Sequence, residues 1–306
     1  MRLIINLVTR GRPQLVKSTL DRTLPNIANP DTLIMVSADI DDMPTVEFIH
    51  HHFGKHTNVK LSIKPREDAT SAKYNRALEF EPDLIGNLSD YTPIVTPGFD
   101  TKIIETAKLF PDGIGVVVNP MRNASFSDMY VMTKPLYKLL GYYSPPYFRY
   151  WFWDHWVDEI ARRIDRMALC DFALEYPPGG KPQTQNLREL AWWGTWFDAA
   201  YRMRREQAAK IMLAMDEPEW RKLILIGNAP LHEFRSRWIN DNVRGQARQL
   251  EGYGVTHAPD EGYTKCRQAA AAMIDELLAT MPAQEANAYR TALLPPDNIV
   301  ALPRVG

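Results

Sequence analysis

LIINLVTRGRPQLVKSTLDRTL, residues 3 to 24, sets an apolar run against a loop carrying two arginines and follows it with apolar residues at helical spacing. The run lacks the in-and-out alternation of a half-exposed strand, so it suits a strand covered on both faces. The same unit recurs along the chain. TLIMVSAD (32–39), VKLSIKP (59–65), LIGNLSD (84–90) and GIGVVVNP (113–120) are further strands, and PTVEFIHHHF, SAKYNRALEF and FDTKIIETAKLF are the helices between them. Short buried strands separated by helices imply a mostly parallel sheet with right-handed crossovers. Ligands of such sheets bind beyond the carboxyl ends of the strands.

The regular alternation breaks between residues 121 and 180. MYVMT reads as a strand, a proline-aromatic loop follows, a helix opens near Asp154, MALCDFALEY reads as a strand and PPGGK as a turn. From residue 184 the pattern is helical. The fold class is therefore α/β, a Rossmann-like, mostly parallel sheet flanked by helices over residues 1–180, with a helical C-terminal region over 181–306. The tail ALLPPDNIVALPRVG reads as a peripheral strap.

Composition narrows the function classes without choosing one. A net charge of −1 gives no bulk reason to bind nucleic acid or a membrane. Cys170 and Cys266 form no CxxC pair, so a reducing, cytoplasmic setting is expected. The N-terminal apolar stretch is too short for a signal peptide, and no stretch reaches the roughly 18 apolar residues of a membrane span. WFW (151–153) and WWGTWF (192–197) are the segments that could rest on an interface.

The unusual residues fall at strand ends: Thr9, Arg10 and Arg12 after the first, Asp39 after the second, Arg66 after the third and Asp90 after the fourth. Loops there are polar in any case, so one such residue means little, but together they outline a cleft. Asp90 is a hard oxygen donor of the type that Mg²⁺ or Mn²⁺ takes, yet Ser89, Tyr91 and Thr92 beside it add no second acid. Asp154 precedes HWVDEIARRI and serves equally as a helix N-cap or as a general base, with His155 as its substitute. His52 and His56 have zinc-like spacing, but Gly54 and the lack of a nearby third ligand favour a solvated helix end. Residues 202–248 hold ten Lys/Arg against six Asp/Glu, a possible basic face for nucleic acid or another acidic acceptor.

Over residues 1–180 the chain resembles the GT-A fold glycosyltransferases, nearest the family-2-like inverting enzymes. The resemblance rests on LIINLVTRGRP, VSADIDD, SAKYNRALE, LSDYTPIVTPGFD and LGYY…FRYWFWDHWVDEIARRI. It implies a nucleotide-diphosphate sugar donor, UDP- or GDP-linked, and an acceptor that the sequence does not name. It also implies that Thr9, Arg10, Arg12, Asp39 and Lys73 line the donor pocket, that Asp90 is the first acid of a DxD-type metal motif, and that Asp154 is the base. Two departures bear on Mn²⁺ or Mg²⁺: the second acid is replaced by Tyr91 or Thr92, and FALEYPPGGK lacks the family's metal-binding histidine. Without metal, Arg12, Arg66 and Lys73 are the cations left to stabilise a departing diphosphate. The alternatives are a nucleotidyltransferase, disfavoured by the missing glycine-rich phosphate loop, and a degenerate, non-catalytic binding or structural protein.

Overall fold

The computed structural model describes residues 1–120, 127, 129–146, 148, 151–176, 190–238, 241 and 261–293. The α/β part runs β1 (Leu3–Val8), α1 (Pro13–Thr23), β2 (Leu33–Asp39), α2 (Met43–Phe53), β3 (Val59–Lys64), α3 (Thr70–Lys73), β4 (Leu84–Ser89) and α4 (Phe99–Ala107). It continues through β5 (Val116–Val118), β6 (Tyr130–Thr133), α5 (Lys134–Leu140), α6 (Trp153–Arg163) and β7 (Met167–Leu169). These strands form one sheet in the order β3-β2-β1-β4-β6-β5-β7. β3, β2, β1 and β4 are parallel neighbours, and β6 is antiparallel to both β4 and β5.

The apolar runs are strands because both sheet faces are covered. All six residues of β1 are buried, and each fully buried Leu or Ile side chain contributes about 1.5–3 kcal/mol. Pro13 starts α1 where no backbone N–H is needed, and Val16 and Leu20 pack one face of that helix into the core. SAKYNRALEF departs from the expected regular helix: after one α turn, Tyr74–Phe80 is a 3₁₀ helix. The Asn6 amide, reaching from β1, donates to the carbonyl oxygens of Lys73 and Tyr74 at 3.0 and 2.9 Å. Those carbonyls would otherwise close α-helical turns.

The C-terminal helices are α7 (Leu190–Ala199), α8 (Tyr201–Ala214), α9 (Glu219–Gly227), helical residues 229–238, α10 (Glu261–Ala279) and α11 (Ala283–Leu293). PPGGK and the tail from residue 294 lie outside the described residues. The tryptophan segments are core rather than interface: Phe152, Trp153, Trp193, Trp196 and Phe197 are all buried. The Phe148 and Trp196 rings meet edge-on at 5.1 Å between centroids, and one apolar cluster runs from Ile4 and Ile85 through Trp156 to Ile211 and Ile274.

Helix α6 is held between the sheet and α8 by buried charge as well as rings. Glu159 pairs with Arg163 at 2.7 Å and Arg204 at 2.8 Å and accepts a hydrogen bond from Ser236 at 2.6 Å. The Arg204 guanidinium lies 3.8 Å from the centroid of the Phe197 ring. Burial would push the Glu159 carboxyl up, but Arg204 and Arg163 outweigh it and hold it below its ordinary range. Among the described residues, no helix is long and apolar enough to cross a membrane.

Candidate active site

Parallel pairing aligns the carboxyl ends of β1, β2 and β4, so the residues that follow them meet. Thr9 donates its hydroxyl proton to Asp90 Oδ2 at 2.9 Å, and Arg12 Nε approaches the same oxygen at 3.0 Å. The Asp90 carbonyl accepts from the Thr19 hydroxyl at 3.0 Å, which ties β4 to α1. The Asp90 side chain is 2% exposed. Burial pushes its carboxyl up, and the opposing pull of Arg12 and Thr9 does not fully offset this.

Asp39, the last residue of β2, is the hub of a second cluster. Its Oδ1 meets Lys73 Nζ at 2.6 Å and Arg76 Nη2 at 3.1 Å, while Oδ2 meets Arg10 at 3.0 Å. Burial acts to raise the Asp39 carboxyl, but Lys73, Arg10 and Arg76 together hold it low. Lys73 is also pushed down, because burial and the neighbouring Arg76 outweigh its one short ion pair. A carboxylate with three cations is secure; an ammonium sharing that carboxylate is less so. Arg10 also spans to Asp41 at 2.6 and 2.8 Å, and Asp42 accepts the Gly11 N–H at 2.6 Å. Arg66 lies exposed after β3 and reaches this group through its field at Asp41.

Arg76 was not among the residues singled out from sequence. It is 4% exposed, donates to the Ala38 carbonyl at 2.6 Å, and pairs with both Asp39 and Glu67. Its signal was the i, i+3 spacing from Lys73 within SAKYNRALE, which puts two cations on one side of a short helical segment.

Asp154 is the second residue of α6, not its N-cap. The N-cap is Phe152, buried and in the left-handed region at φ 73°, a conformation that costs a non-glycine residue of order 1–3 kcal/mol and must be imposed by its surroundings. Asp154 Oδ1 takes the His155 backbone N–H at 2.9 Å and faces His155 Nδ1 at 3.0 Å, with 24% of the side chain exposed. Burial would raise this carboxyl, but the His155 ring and the backbone N–H groups outweigh it and hold it below its ordinary value.

Tyr74 connects the two ends of the site. Its ring packs against Trp153 at 5.1 Å between centroids. Burial raises its hydroxyl pKa, and Asp90, Tyr91 and Asp154 add to that rise while Arg12 opposes it. Asp90, Arg12 and Asp154 therefore all act on one buried phenol.

The protein side chains around Asp90 do not fit a divalent cation. One carboxylate oxygen already takes Thr9 and Arg12, Tyr91 and Thr92 supply no carboxylate, and no group of three metal-ligating side chains occurs among the described residues. The histidine-rich stretch matches the solvated-end reading: α2 stops at Phe53, His52 Nδ1 bonds the Phe48 carbonyl, and His56 accepts the Asn58 N–H. Among the described residues of 202–248, basic side chains are engaged internally, with Arg204 on Glu159, Arg205 on Glu233, Arg221 on Asp165 and Arg235 on Asp158; Arg244 and Arg248 lie outside the described residues.

By sequence the chain matches no protein-family profile and no curated protein. By structure it is similar to S. aureus TarS 1-349, with a TM-score of 0.55 at 13% identity over 96% of this chain and 90% of that one. The same protein in complex with UDP-GlcNAc aligns over the same shares with a TM-score of 0.57 at 12% identity. The fold is GT-A. The mannosyltransferase PcManGT from Pyrobaculum calidifontis, in complex with GDP-Man and Mn²⁺, aligns over 95% of this chain and 84% of that one at 13% identity and a TM-score of 0.48. In this GT-A sheet the Asp39 and Asp90 clusters lie at the ends of the strands on either side of β1, and Trp153 of α6 packs on Tyr74 beside them.

Proposed function

We propose that the chain transfers a sugar from a nucleotide-diphosphate donor, UDP- or GDP-linked, to an acceptor hydroxyl with inversion at the anomeric carbon. The observation that carries this reading is a cation-bearing strand-end cluster, with Arg12 on Asp90 and Lys73 on Asp39, together with the partly exposed Asp154 carboxylate on α6, the helix whose Trp153 packs on Tyr74. The first suits a diphosphate, and the second suits a hydroxyl that must lose a proton.

In the proposed step the acceptor oxygen attacks the anomeric carbon in line, the bond from that carbon to the phosphate oxygen breaks, and the acceptor proton passes to Asp154. The lowered pKa keeps Asp154 ionised at neutral pH. His155 engages Oδ1, which leaves Oδ2 to receive the proton. The leaving diphosphate carries away the bonding electrons and is stabilised by Arg10 and Arg12, whose side chains are 39% and 31% exposed, with Lys73 deeper. No step is routed through Mn²⁺ or Mg²⁺, since the residues around Asp90 do not fit one.

Isothermal titration with UDP, GDP and their sugars, with and without Mn²⁺, is the direct test. Binding of at least one sugar nucleotide is expected. A chain that binds none of them is not a nucleotide-sugar transferase. One that binds and survives Asp154→Asn in a transfer assay with full activity lacks the base assigned here.

A further inference from the structure

Residues 70–76 touch both halves of the candidate site. They comprise α3 and the first three residues of the 3₁₀ helix that follows it. On the donor side, Lys73 and Arg76 meet Asp39 Oδ1. On the other side, three residues hold the stretch that leads into α6. The Asn75 amide makes three bonds there: Oδ1 accepts the backbone N–H groups of Tyr143 and Ser144, each at 2.9 Å, and Nδ2 donates to the Ser144 carbonyl at 2.7 Å. Ser71 donates its hydroxyl proton to the Phe148 carbonyl, and the Tyr74 ring packs on Trp153, the first residue of α6.

This connection is built on buried polar groups. Asn6, fully buried and the one polar residue in β1, directs its amide to the Lys73 and Tyr74 carbonyls, and its Oδ1 takes the Ser37 hydroxyl of β2 at 2.8 Å. Asn87 of β4, registered opposite Asn6, presents Oδ1 2.8 Å from the Tyr143 hydroxyl and accepts the Tyr130 backbone N–H at 2.9 Å. A buried amide is costly unless its bonds are made, and a satisfied polar network fixes one arrangement where apolar packing tolerates several. The sheet thus holds residues 70–76 through Asn6 and Tyr143 through Asn87, and Asn75 closes the link between them. Phe152, whose left-handed backbone must be imposed, follows Phe148 by four residues, with the two rings 6.4 Å apart between centroids. Phe148 is the residue that Ser71 ties down.

We infer that Asn75 is a positioning residue for the proposed transfer: by fixing residues 143 and 144 it sets the start of α6, and with it Asp154, relative to the donor cluster. The inference rests on the transferase reading. In-line attack is sensitive to placement, and a shift of about 1 Å costs about 10²-fold in rate. The Asn75 amide is engaged with the backbone of Tyr143 and Ser144 and not with Asp39 or Asp90, so its loss should act on turnover and not on nucleotide affinity. Lys73 and Arg76, from the same short segment, act on the donor cluster instead.

Titration with UDP and GDP sugars, and steady-state release of UDP or GDP from the one that binds, with water as the acceptor, test it. Asn75→Ala removes all three bonds and should lower kcat by about 10²-fold, while Kd for the sugar nucleotide stays within about twofold. Asn75→Asp keeps the two accepted bonds and should regain about tenfold of that loss. Asn58→Ala is the control. It removes two bonds of the same kind, to the Pro30 and Thr32 carbonyls at 3.1 and 2.8 Å, at the opposite ends of the strands, and should lower the melting temperature without touching kcat. Hydrogen exchange supplies a readout that needs no turnover: the amides of 153–157 should exchange faster in Asn75→Ala and, should that variant not fold, in Asn75→Asp, while β1 keeps its protection. Wild-type kcat in Asn75→Ala, a loss carried by Kd, or unchanged exchange in α6 overturns the inference and leaves the transferase reading standing. A wild-type chain that binds no sugar nucleotide overturns both.

Discussion

Asp39→Asn removes one charge from a side chain that is 1% exposed and contacts three cations. The loss is uneven. Arg76 keeps Glu67 and Arg10 keeps Asp41, but Lys73, 8% exposed on its side chain, is left with the Thr9 carbonyl at 3.3 Å. Stripping the partner from a buried charge costs about 3–5 kcal/mol, and the amide oxygen that Asn retains places the expectation at the lower end, about 3 kcal/mol. A chain of 306 residues has an unfolding entropy near the midpoint of roughly 0.6 kcal/mol/K, so the melting temperature should fall by about 5 °C. Urea unfolding at pH 7, followed by tryptophan emission and checked by calorimetry, measures both. Adding Lys73→Met should recover at least half of the loss, since it removes the orphaned ammonium. The gap between wild type and variant has a defined pH dependence. The folded Asp39 pKa is depressed, so its contribution is present above the unfolded carboxyl value of about 3.9 and is lost as pH falls through the lower folded value. A cost under about 1 kcal/mol at pH 7, or a double variant no more stable than Asp39→Asn, would refute the hub.

Asp154→Asn should lower kcat by about 10²–10⁴ while nucleotide affinity stays within about twofold; a parallel loss of affinity would mean that Asp154 holds donor rather than acts as base. Because the folded Asp154 pKa is depressed, the wild-type rate should persist on the acid side until pH drops below the ordinary carboxylate range, and an acid limb near neutrality in kcat would refute Asp154 as the ionised base. Asp90 has the opposite sign: its folded pKa is raised, so the ionised form is penalised as pH rises through that value. Asp90→Asn, which keeps an acceptor for Thr9, should leave stability at pH 7 unchanged or higher. Asp90→Ala, which orphans the Thr9 hydroxyl and Arg12, should cost about 1–3 kcal/mol in the same unfolding assay.

The parallel core was legible because β1, β2 and β4 are covered on both faces, which writes an unbroken apolar run into each. The antiparallel direction of β6 was not legible, since MYVMT has the same composition whichever way it pairs. Thr9, Arg12, Asp39, Lys73 and Asp90 converge because parallel register brings strand ends together, which chain order alone implies. The cap of α6 was hidden by Phe152, a residue that enters the left-handed region only under tertiary constraint. Residues 220–238 expose a further limit: periodicity defines an apolar face, but not whether that face turns toward the core or away from it.

The charge that Tyr91 and Thr92 do not supply has a consequence for nucleotide binding. Arg10, Arg12, Lys73 and Arg76 all have acidic partners in the unliganded site, so an incoming diphosphate must take a cation from a carboxylate. Arg12 is the most readily exchanged, because its side chain is 31% exposed and its partner is a single oxygen of Asp90. When Arg12 turns to phosphate, Asp90 loses the strongest influence opposing its burial, and its pKa, already raised, rises further. Nucleotide binding should therefore take up protons at Asp90, and affinity should weaken as pH rises. Titrations of UDP at pH 7 in buffers of different ionisation enthalpy read the uptake directly, and Asp90→Asn removes the Asp90 contribution while leaving any protonation of the phosphate itself. A binding enthalpy with the same buffer dependence in wild type and Asp90→Asn would mean that Arg12 stays on Asp90 and that the diphosphate is held by other groups.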